Sequence, residues 1–237
     1  MEKTKGSFFT AKNISYLAVL TALTIVLQIW GGAIKIGPTS ISLVLVPIVL
    51  AGVMLGVWAG AFLGFVFGFI VLMYGVSGVD AFTAMLLNLH PFITTVLCLG
   101  KGIAAGVVAA LLYKLIAKKN KYVAVFVAAA AAPIVNTGIF ILGGLAMSDI
   151  FSGMATANNY DNAFYFLVLY VAGWNFVVEF AINLFLSPAI FTVNKVVESQ
   201  IVQKKKNTEN TSNNTDTVND IQAEETKSLE EQNDITE

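Results

Sequence analysis

Apolar residues run along this chain in long blocks, Ile14–Ala33, Ile41–Val57, Trp58–Tyr74, Ala81–Ala117, Tyr122–Met147 and Ala163–Val193, separated by short polar joints. About 20 residues of helix, at 1.5 Å each, cross the roughly 30 Å of hydrocarbon in a bilayer. Most blocks therefore predict one transmembrane helix each. The Ala81–Ala117 block is too long for one crossing and too short for two. Within it, HPFITTVLCLGKGIAAG marks a cut, because Pro91 and the Gly100/Gly102 pair flank Lys101. Gly102–Ala117 then becomes the spanning portion, and residues 75–99 an apolar outer segment folded back over the bundle. The pattern predicts an all-α integral membrane protein with six transmembrane helices.

Charge placement gives the topology. Only 12% of the 237 residues are charged and 57% are hydrophobic, far from the soluble balance of roughly a quarter charged. Lysines cluster before the first helix (Lys3, Lys5, Lys12), between the fourth and fifth (Lys114, Lys118, Lys119, Lys121) and after the last (Lys195, Lys204 to Lys206). All of these fall on one side if both termini are cytoplasmic, as the positive-inside rule and an even number of spans require. The opposite joints carry Lys35, Asp80, His90, Asp149 and Asp161. Residues 1–13 read as a basic cytoplasmic N-terminus, 14–197 as the membrane domain and 198–237 as a cytoplasmic tail. That tail holds ten of the 15 acidic residues and too little apolar surface to offset chain entropy, so it is expected to be disordered.

Several chemistries lack their residues. Phosphate-binding G-x-x-x-x-G-K-[ST] is absent, so ATP hydrolysis is not expected of this chain. A single cysteine, Cys98, and a single histidine, His90, offer no metal cluster. No metal, cofactor or nucleic-acid partner is expected, and enzyme readings are poor. There is no arginine, so anion recognition falls to lysine, amides or helix N-termini.

Polar groups inside the bilayer are the informative positions, because an unpaired charge at its centre costs about 2.5 kcal/mol or more. GWNFVVEFAIN sets Asn175, Glu179 and Asn183 at i, i+4 and i+8 on one face, beside Trp174. APIVNTGIFILGG places Asn136 and Thr137 at a depth similar to Asn175. There Pro133 is expected to interrupt the helix and Gly138 to admit close neighbours, leaving a small polar cavity that opens outward. Asn136, Thr137 and Asn175 are equally consistent with hydrogen bonding between helices. Lys101 is expected near the outer end of the fourth helix, either meeting a carboxylate or snorkelling to the interface. His90, in a loop, is either a ligand-facing group or a local hydrogen-bonding residue. Ala18 and Ala22, at i and i+4 on the first helix, form a small-residue patch that permits close helix approach.

These features together resemble the substrate-specific S component of energy-coupling factor (ECF) vitamin transporters. The resemblance covers about residues 10 to 197. It rests on six helices with both ends inside, Ala18-x-x-x-Ala22, an apolar segment ahead of GKGIAAGVVAALLYKL, and NTGIFILGG. It implies a subunit of a bacterial cell membrane that captures one vitamin from outside. That subunit would dock through Ala18 and Ala22 on a transmembrane coupling protein with two ATPase subunits. The implied pocket holds His90, Lys101, Asn136, Thr137, Trp174, Asn175 and Glu179. A pocket of amides with one lysine and one tryptophan suits a small hydroxy-amide acid such as pantothenate, whereas Glu179 argues for a cationic or donor-rich ligand such as thiamin. The alternatives are a stand-alone ion- or proton-coupled carrier with Glu179 as its titrating group, and a structural or regulatory bundle that binds no small ligand.

Overall fold

The computed structural model describes residues 11–36 and 38–200. Lys3, Lys5, Lys204 to Lys206 and most of the acidic tail, with its expected disorder, lie outside them. The chain divides into two compact units, Met1–Thr192 and Val193–Glu237. In the described part of the second unit the chain is helical, and Asn194 donates to the Glu198 carboxylate at 3.4 Å.

Helices dominate: α1 (Ala11–Ala33), α2 (Leu45–Leu55), α3 (Val57–Val76), α4 (Ala81–Leu89), α5 (Pro91–Ile116), α6 (Lys121–Ala146), α7 (Ser148–Ala157) and the single turn α8 (Ala163–Tyr165). A π-helical turn, Phe166–Val171, then leads into α9 (Gly173–Gln200). Two-residue strands β1 (Lys35–Ile36) and β2 (Thr39–Ser40) pair antiparallel in the joint after α1. Among the described residues, five helices, within α1, α3, α5, α6 and α9, are long and apolar enough to cross a bilayer.

The second predicted span is shorter than expected. Its helix has 11 residues, about 16 Å at 1.5 Å each, which falls short of the hydrocarbon thickness. Residues 41–44 are instead non-helical, and α2 ends at Gly56, whose φ of +93° suits glycine alone and turns the chain straight into α3. Even so, α2 is the most enclosed element, with Leu45, Ile48 and Val49 fully buried.

The Ala81–Ala117 block also divides elsewhere. The break falls at His90, where α4 ends and Pro91 opens α5 at a position that needs no N–H. From there α5 runs unbroken through Gly100, Lys101 and Gly102, so residues 91–99 belong to the long helix and only α4 folds back. Gly75 makes room for that return, since a Cβ there would meet the Thr83 side chain at 2.6 Å.

Gly102 is a packing residue. A Cβ on Gly64 would lie 2.1 Å from the Gly102 carbonyl oxygen, one on Gly60 2.7 Å from that of Gly106, and one on Gly68 2.4 Å from that of Cys98. The pairs step by four residues in opposite directions, so α3 and α5 run antiparallel with their main chains in direct contact. Pro133 does not interrupt α6, which is continuous from Lys121 to Ala146. A Cβ on Gly138 would meet nothing within 4 Å, so this glycine admits no close neighbour.

Three apolar clusters complete the packing. One joins α1, α2, α3 and α5 around Leu20, Val44, Leu63 and Phe67; a second joins α2, α5, α6 and α9 around Val49, Ala109, Val125 and Ile190. The third holds α4, α7, α8 and the π turn together around Leu86, Phe151, Phe166 and Leu167.

Candidate functional site

The joint after α1, reading GPTSIS, carries three hydroxyls in four residues, and the structure turns them inward. Thr39 donates to the Val171 carbonyl at 3.0 Å and accepts a short hydrogen bond from the Asn175 side-chain amide, which also reaches the Thr39 carbonyl at 3.2 Å. The backbone N–H of Ser42 donates to the Glu179 carboxylate at 2.8 Å. Residues 39–42 thereby form a strap across the start of α9. The i, i+4 spacing of Asn175 and Glu179 sets the two attachment points one helical turn apart. Asn183, another turn along, donates back to the Glu179 carbonyl at 2.9 Å and is buried.

Beneath the strap lies a cavity of about 60 Å³ lined by Thr39, Ser40, Ser42, Lys101, Asn136, Thr137, Phe140, Ala172, Asn175 and Glu179. Helix α5 supplies Lys101, ten residues in and so about 15 Å along its axis rather than near its end. The ammonium sits 5.5 Å from the centre of the Phe67 ring and 5.7 Å from that of Phe140, within cation–π range. It makes no salt bridge among the described residues. Helix α6 supplies Asn136, only 5% exposed, whose side-chain carbonyl oxygen is buried without a hydrogen-bond partner. An orphaned buried acceptor costs about 1–3 kcal/mol. The cavity thus offers a cation, an unmet acceptor and several hydroxyls, a set that suits a small polar molecule carrying an anionic or carbonyl oxygen and an N–H or O–H donor.

Five of the residues singled out from sequence, Lys101, Asn136, Thr137, Asn175 and Glu179, come together here. Trp174 does not line this cavity, and its side chain is 68% exposed. One residue along a helix is a rotation of about 100°, which carries position 174 off the face shared by 175 and 179. His90 is also elsewhere, donating to the Asp149 carboxylate at 2.8 Å and so tying the α4–α5 corner to α7. That hydrogen bond holds the exposed Asp149 carboxyl below its ordinary value. Ala18 and Ala22 are exposed on the outer face of α1, whose inner face buries Leu20, Thr24 and Gln28. Sequence reading missed the strap residues and Phe140; the available signal was the hydroxyl run itself.

Fold and cavity together define a multi-pass helical membrane protein with a polar chamber at the end of the bundle where α1 stops and α9 starts. The family model for the substrate-specific component of ECF transporters matches residues 12–191, and the chain belongs to that family. No curated protein matches the sequence. Members are membrane subunits of transporters rather than enzymes; they bind a small substrate and work with coupling and ATPase modules.

Proposed function

We propose that this subunit captures a small hydrophilic vitamin in the cavity beneath the 39–42 strap, with pantothenate the favoured substrate, and delivers it to an ATPase-driven coupling module. The observation that carries the reading is one chamber lined by both the Lys101 ammonium, which has no salt bridge among the described residues, and the unmet carbonyl of Asn136. In this reading Lys101 meets the carboxylate, and Asn136, Thr137 and Asn175 meet the amide and hydroxyls. Glu179 holds the strap through Ser42. The exposed Ala18 and Ala22 surface docks on the coupling protein, with two ATPase subunits beyond it. Both termini lie in the cytoplasm of a bacterial cell, with the short α2 and the non-helical residues 41–44 ahead of it completing a sixth crossing inside the bundle, which puts the strap on the outer side of the membrane.

The test is to purify the protein in detergent from cells grown in rich medium, denature it and identify any released small molecule by mass spectrometry. A stoichiometric vitamin is the expected result. An empty protein that also shows no thermal shift with a panel of vitamins refutes capture and leaves a structural bundle.

A further inference from the structure

A second chamber, also of about 60 Å³, is likewise lined by Lys101. It shares Lys101, Phe140 and the hydroxyl-bearing strap with the first, and adds Gln28 from α1 together with Thr94 and Cys98 from α5. Gln28 is 4% exposed, and its side-chain carbonyl oxygen has no hydrogen-bond partner. Thr94 is buried, and its hydroxyl points at no better acceptor than the Met147 sulfur, 3.8 Å away. Each chamber is therefore lined by a buried amide with an unmet carbonyl, Asn136 in one and Gln28 in the other, and Lys101 lines both. Burying one such group without a partner is costly, and a bundle interior lacks bulk water to satisfy it.

We infer that the two chambers are one bipartite site, and that the substrate is an extended hydrophilic molecule with an arm in each. An oxygen-bearing middle section meets Lys101 beside Phe140, and N–H or O–H donors on the two arms reach Asn136 Oδ1 and Gln28 Oε1. A compact acid that ends at Lys101 would fill only the first chamber. The inference rests on the capture reading and departs from the pantothenate assignment, in which the carboxylate at Lys101 is the end of the molecule.

Titration calorimetry on the full chain in detergent tests it, using pantothenate, thiamin, riboflavin, biotin and folate as probes. For whichever probe binds, Asn136→Leu and Gln28→Leu are each expected to weaken binding about tenfold or more, since each removes one hydrogen bond at constant bulk. Thr94→Val, which deletes a hydroxyl without changing shape, is the second variant for the far chamber and is expected to weaken binding as well, should Gln28→Leu fail to fold. If Asn136→Leu weakens binding while the far-chamber variants stay within about twofold of the parent, the bipartite site is overturned and capture in the first chamber stands. Loss at the far chamber alone also overturns it, by moving the ligand off Asn136. If no probe binds, the capture reading fails and this inference falls with it.

Discussion

The carboxylate of Glu179 accepts the backbone N–H of Ser42 at 2.8 Å, joining residues 137 apart in sequence. Glu179 is 4% exposed, and the bond fixes the strap over the cavity. Replacing it by leucine leaves the Ser42 N–H without an acceptor and is expected to cost about 1–3 kcal/mol. Glutamine keeps an acceptor oxygen and is expected to fall between. Thermal unfolding of the two variants beside the parent, in one detergent, checks the order.

The glycine seam predicts a contrast between two outwardly similar substitutions. Gly64→Ala drives a methyl group into the Gly102 carbonyl, a backbone clash that only separation of α3 from α5 relieves, so loss of about 3 kcal/mol or more is expected. Gly138→Ala meets open space and trades glycine for a better helix former, with an expected gain of about 0.5–1 kcal/mol. Melting temperatures that move the same way for both would refute the assignment of the seam.

Ala18 tests the proposed docking face. The residue is exposed, and its substitution by tryptophan alters no buried contact of the described fold. Uptake by cells that also express the coupling module is expected to fall severalfold or more, while ligand affinity of the purified subunit stays unchanged. Uptake at the parental rate would remove Ala18 from the interface.

The His90–Asp149 bond has a definite pH signature. Asp149 is held below its ordinary value by the hydrogen bond from His90, so its contribution to stability is complete above the unfolded carboxylate value of about 3.9 and is lost as pH falls through the lower folded one. The stability difference between the parent and Asp149→Asn is therefore expected to hold steady from neutral pH down to about 5 and to close in stronger acid. A difference that closes near neutrality would contradict this. Because the pair is exposed, the effect is small.

Much of this architecture was legible because a bilayer forces a simple code: long apolar runs become helices, and polar residues inside them stand out. Asn175 and Glu179 at helical spacing, and Asn136 at similar depth, are such residues, and they line one chamber. The failures have physical causes as specific. Glycine reads as a break and also as a close contact, and Gly102 of GKG is the second, so the predicted cut falls ten residues late. The strap is not legible from the sequence, where Ile41 and Ser42 open an apolar run, because nothing local marks a hydroxyl that answers Asn175 across 136 residues. Gln28 is one amide in an apolar helix, and only its burial, which the sequence does not show, extends the polar interior towards α1.

Where Gly60, Gly64 and Gly68 meet α5, two main chains touch with no side chain between them. Side chains are the compliant part of a packed interface, since they can change rotamer, and a main-chain contact has no such slack. Helices α3 and α5 thus behave as one double beam, and Lys101, next in sequence to Gly102, is carried on it. Two chambers of about 60 Å³ hold only a few waters apiece, so loading a vitamin needs room. The beam cannot supply it. The strap is held over the cavity through Thr39 and Ser42, by hydrogen bonds with Val171, Asn175 and Glu179, and expansion is expected there, with Lys101 staying on the beam as the fixed point of the site.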